Sequence, residues 1–119
     1  MPARRLHLKF DDYLIEHSIV SDRDYSIVHD RMDRDIQYSG KFHREDHYHT
    51  EEGIRDWLRS WCHLAYQKTL TDYLRVALGH LVLDEMWSKY EYEDEYELIK
   101  SAYRSYAQRG FYWCFFKER

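Results

Sequence analysis

The stretch Leu70–Val82 constrains this chain most. Leu70, Leu74, Ala77, Leu78, Leu81 and Val82 recur at helical spacing and leave little of the circumference polar. A helix apolar around most of its girth must be enclosed by other elements. The spacing carries this helix to Trp87, and a break or bend is expected near Thr69–Asp72. The rest of the chain then has to supply its cover.

The neighbours follow from caps and stripes. Ser21, with Asp24 three residues on, reads as a helix start. Tyr25, Val28, Met32 and Ile36 follow at helical spacing, so a helix is expected from Asp22 to Tyr38, ended by Ser39-Gly40. Thr50 is a second cap, and Glu51 and Glu52 suit the positive end of the helix it opens. Ile54, Trp57, Leu58, Trp61, Leu64 and Ala65 form its apolar stripe. After the acidic run Glu91–Glu97, a last helix carries Leu98, Ile99, Ala102, Tyr103 and Tyr106 up to Gly110. Trp57, Trp61 and Trp87 read as core, as do Tyr73, Tyr103 and Tyr106.

Two strands are expected at the ends. Leu6, Leu8 and Phe10 alternate with His7 and Lys9, and FYWCFF (Phe111–Phe116) reads as a buried run. The expected fold is therefore mainly α: a bundle of three to four helices with short strands at the N- and C-termini, in a single domain over residues 1–119. Left at an edge, Phe111–Phe116 would pair with another chain, so a homodimer is expected through it.

Composition narrows the function classes. The 119 residues are 44% apolar, enough for a core. A net charge of −4, from 18 basic and 22 acidic residues, gives no overall attraction to nucleic acid. No apolar run approaches the ~18 residues of a membrane span. The two cysteines, Cys62 and Cys114, form no CxxC pair and suit a reducing compartment. A cytoplasmic protein, away from membranes, is expected.

The eight histidines carry the chemistry. His29 and Asp33 lie four apart on one expected helix, and His80 and Asp84 lie four apart on another. That spacing puts both members of a pair on one helical face. Two such faces on adjacent helices can converge on one ion, as bundles build metal sites. His43, His47 and His49 crowd the segment between, and of these His43 and His49 join the candidate ligand set. Imidazole with carboxylate suits Zn, Fe, Mn or Ni better than Ca or Mg. The competing reading is that each pair is only a hydrogen-bonded couple. His80 weighs against this, because its face also holds Tyr73, Val76, Leu83 and Trp87, and polar groups there must satisfy each other or bind something.

The segment Val28–Ile54, VHDRMDRDIQYSGKFHREDHYHTEEGI, with Ala77, His80 and Asp84 beyond it, resembles a group of small uncharacterised bacterial and phage proteins. Their pattern runs HD-x2-D, His-Arg, His-x3-Gly-Ile and Ala-x2-His-x3-Asp. It is matched by His29-Asp30 with Asp33, His43-Arg44, His49 with Gly53-Ile54, and Ala77 with His80 and Asp84. The resemblance implies a shared His/Asp site and no particular reaction. With a divalent ion the default chemistry is activation of bound water toward an ester, with a phosphoester as the expected class. Asp30 or Glu45 is then the candidate general base, and Arg44 the anion clamp. The His29-Asp30 dipeptide also resembles that of HD-type phosphohydrolases.

Three rival readings stand beside this one. His47-Tyr48-His49, with Tyr96 and Lys100, resembles the HxH and Y-x3-K motifs of HUH-type replication nickases, which require a central antiparallel sheet. Arg75 and His80 resemble the R-x4-H of HEPN-type ribonucleases. The third reading is a non-enzymatic module, of immunity or host-takeover type, contacting a partner through Tyr38, Tyr90, Tyr92 and Tyr96.

Overall fold

The computed structural model describes residues 4–33, 50–61, 66–89 and 94–109. Within them lie five helices: α1 (Arg4–Glu16), α2 (Ser26–Met32), α3 (Glu51–Arg59), α4 (Gln67–Lys89) and α5 (Glu95–Arg109). α4 is the axis of the bundle and packs against each of the other four, while α1 also touches α2 and α5. The mainly helical architecture and the central place of Leu70–Val82 follow the sequence pattern.

The N-terminal strand does not form. Leu6–Phe10 lies inside α1, because the alternation of Leu6, Leu8 and Phe10 is the start of a longer helical pattern. Leu6, Phe10 and Leu14 repeat every four residues, and all three are buried. Their shared face, not a two-residue period, is what the core accepts. There is no strand among the described residues, and Phe111–Phe116 lies outside them.

α1 ends in a backbone device that its sequence does not advertise. Ser18 takes a left-handed conformation (φ 60°), and the Ile19 amide donates to the Leu14 carbonyl at 2.9 Å. This six-to-one closure satisfies an orphan carbonyl at the helix end. The Arg75 guanidinium of α4 donates to the Ile19 carbonyl at 2.8 Å, and Arg23 approaches the buried Asp72 at 3.5 Å. The connection from α1 to α2 is thus tied to the axis.

α2 begins at Ser26, four residues later than expected. Ser21 does not cap it. The N-cap position is Tyr25, which makes no side-chain cap bond; Asp24, one residue before it, accepts from the Ser26 amide at 2.9 Å, and the Ser21 carbonyl accepts from the Tyr25 hydroxyl at 2.5 Å. Thr50 caps α3 as expected, its Oγ1 accepting from the Gly53 amide at 3.0 Å. α4 runs unbroken through Thr69–Asp72, so the expected bend there is absent. Trp87 is 43% exposed and not core. It sits in the last turn of α4.

α1 approaches α4 closely at Gly79. A Cβ there would lie 3.0 Å from Phe10 Cε2 and 3.4 Å from Leu14 Cδ1, both on buried side chains. Gly79→Val therefore overpacks the α1–α4 contact and is expected to cost about 1–3 kcal/mol. Urea unfolding of the variant beside the wild type measures this; unchanged stability would show that the contact yields.

Candidate metal centre

Three pairs, each a histidine and an aspartate four residues apart, meet where α1, α2 and α4 converge. His7 and Asp11 come from α1, His29 with Asp33 from α2 and its C-cap, and His80 and Asp84 from α4. Each pair lies on the inward face of its helix because apolar partners at helical spacing hold that face in the core. Leu6, Phe10 and Leu14 do so for α1, Val28 and Met32 for α2, and Val76, Ala77 and Leu83 for α4.

The histidines are enclosed almost completely, at 1–2% exposure. His7 and His80 stack at 3.7 Å between ring centroids, within 4° of parallel. His29 lies 5.1 Å from His80 and 5.3 Å from His7. One ring nitrogen from each lies within 4.8 Å of the others, so these three buried imidazoles can hold a metal ion.

The carboxylates surround this group. Asp11 Oδ2 is 2.7 Å from His29 Nε2. Asp84 Oδ1 is 3.1 Å from His7 Nε2, and its Oδ2 is 3.5 Å from His80 Nε2. Asp33 Oδ1 is 3.4 Å from that same His80 nitrogen. His29 Nδ1 and His80 Nδ1 are 2.9 Å apart. Asp33 is the one member open to water, its side chain 33% exposed, while the Asp11 and Asp84 side chains are nearly closed off. Burial pushes the Asp11 carboxyl above the usual carboxylate range, opposed by its hydrogen bond to His29.

The sequence-expected residues divide cleanly. His29, Asp33, His80 and Asp84 are brought together. Asp30, expected as a base, faces outward and pairs with Arg4, because it is one residue round the helix from His29. His43, Arg44, Glu45, His47 and His49 lie outside the described residues. His7 and Asp11 were missed, although their spacing is the same as that of the other two pairs. The short alternation around His7 hid them. A search for His-x3-Asp along the whole chain finds all three.

The rivals find less support. The antiparallel sheet that the HUH-type reading requires is absent from the described residues, and Tyr96 is 60% exposed with Lys100 Nζ 4.8 Å from its ring centroid. Arg75 of the R-x4-H pair is turned to the Ile19 carbonyl. No described helix is long and apolar enough to cross a membrane. Comparison of the chain with protein-family models, with curated proteins and with solved structures finds no match.

Asp11 is the only acceptor for His29 Nε2 among the described residues. Asp11→Ala leaves that buried N–H unsatisfied, at an expected cost of about 1–3 kcal/mol. Asp11→Asn keeps an oxygen there and is expected to lose less. Urea melts of both variants with chelator present would show the order, and equal stabilities would contradict it.

Proposed function

We propose that this protein binds a divalent transition-metal ion at the junction of α1, α2 and α4. The observation that carries the reading is the gathering of three buried imidazoles, one ring nitrogen of each within 4.8 Å of the others, beside the carboxylates of Asp11, Asp33 and Asp84. Imidazoles with carboxylates favour Zn, Fe, Mn or Ni, and the all-oxygen shells preferred by Ca and Mg are not what this site offers.

Electrostatics supports the same reading. Asp11, Asp33 and Asp84 bring up to three negative charges into a space walled by Leu, Val and Met side chains. Carboxylates removed from water are costly unless hydrogen-bonded or neutralised by a cation. A divalent ion compensates most of that charge at once. The chemistry such an ion supplies is activation of water for hydrolysis. The partial exposure of Asp33 gives water a route to one side of the centre, and a phosphoester is the substrate class to assay first.

The purified protein, loaded with Zn and desalted, is expected to carry one ion per chain by elemental analysis. His80→Ala is expected to carry far less while keeping its helical circular dichroism. Chelation is expected to lower the melting temperature of the wild type by about 10 °C, as removal of a tightly held ligand does. A wild type that takes up no metal at any loading would overturn the proposal and favour the non-enzymatic module.

A further inference from the structure

Resting on that reading, we infer that the three imidazoles have different jobs. His7 and His80 hold the ion through Nε2 together with Asp84, while His29, anchored by Asp11, is a positioning residue that fixes the tautomer of His80.

The argument starts from His29. Both of its ring nitrogens are engaged in aligned hydrogen bonds, Nε2 with Asp11 Oδ2 at 2.7 Å and Nδ1 with His80 Nδ1 at 2.9 Å. No lone pair is left for a metal unless one of these bonds breaks. His7 differs. Neither of its ring nitrogens has an aligned hydrogen-bond partner among the described residues, although its Nε2 lies 3.1 Å from Asp84 Oδ1. A nitrogen that close to a carboxylate oxygen, yet not aimed along a hydrogen bond, is placed as a neighbouring ligand on a shared ion would be. Cis ligands with bonds of ~2.0–2.2 Å lie about 2.8–3.6 Å apart. The 3.1, 3.4 and 3.5 Å separations among His7 Nε2, His80 Nε2, Asp84 and Asp33 all fall in that window.

Proton counting then sets the tautomers. Asp11 as a carboxylate can only accept, so His29 Nε2 carries the proton. Neutral His29 therefore accepts at Nδ1, and His80 donates from its own Nδ1. Neutral His80 is left with a lone pair on Nε2, and that atom faces oxygens of Asp33 and Asp84 at 3.4 and 3.5 Å. A cation placed between that lone pair and those oxygens can be ligated by both. The series Asp11–His29–His80 is thus a carboxylate–histidine arrangement of the kind that orients metal ligands, extended by one ring. Coordination also requires His7 to tilt out of its parallel stack on His80, since the in-plane lone pairs of parallel rings do not converge.

The test is a long-range proton–nitrogen spectrum of the 15N-labelled, Zn-loaded wild type, with a 113Cd-loaded sample to count metal-bound imidazoles. Two metal-bound rings are expected, both through Nε2, with protons on His80 Nδ1 and His29 Nε2. In parallel, His29→Ala is expected to keep one Zn per chain with affinity reduced about 10–100-fold. His29→Asn, whose Oδ1 can replace Nδ1 as acceptor, is expected to recover part of that loss. A nitrogen of His29 coupled to 113Cd, or a proton on His80 Nε2 in the loaded protein, overturns the inference and leaves metal binding standing. So does a folded His29→Ala that loses stoichiometric metal as His80→Ala does. A wild type that takes up neither Zn nor Cd sinks the inference and the metal reading together.

Discussion

Six polar side chains, three of them imidazoles and three carboxylates, share the space between α1, α2 and α4, and the packing around them is arranged to keep water from five of the six. A core that admits such groups must satisfy each one, because desolvating them unpaired would consume a large part of a small domain's net stability. The hydrogen bonds and close contacts within the cluster are therefore a condition of the fold as well as the basis of its proposed chemistry. The Phe10–Gly79 contact serves the same end: with no side chain on Gly79, α1 can approach α4 closely one residue before His80.

The tie from Arg75 to Ile19, and the approach of Arg23 to Asp72, hold the turn after α1 against the axis. That turn sets the angle between α1 and α2, and hence the separation of His7 from His29. At the far end of α1, Arg5 and Lys9 pair with Glu95 at the start of α5. These exposed pairs contribute little energy singly. Their place in the fold is to dock both flanks of the helix that carries His7 and Asp11.

Much of this was legible in the sequence. The circumferentially apolar run Leu70–Val82 announced a central helix, Thr50 announced a helix start, and the His-x3-Asp pairs at 29–33 and 80–84 announced a shared face. Local pattern failed where two periods coincide over a short window. Leu6–Phe10 satisfies a two-residue and a four-residue repeat alike, and only the continuation to Leu14 separates them. That one misreading removed His7 and Asp11 from view. Ser18 was illegible for another reason: a left-handed helix stop normally signals itself with glycine or asparagine. Trp87 shows that a large aromatic at core spacing need not be buried when it stands in the last turn of its helix.

The three contributing pairs are far apart along the chain, at positions 7–11, 29–33 and 80–84. The first rests entirely on α1. A version lacking the residues before Asp12 would retain α2 through α5 and most of the apolar interior, yet it would lose His7, Asp11 and with them the companion ring on which His80 rests. Here α1 is an element the cluster cannot spare, because it carries His7 and Asp11 and gives His80 its stacking partner.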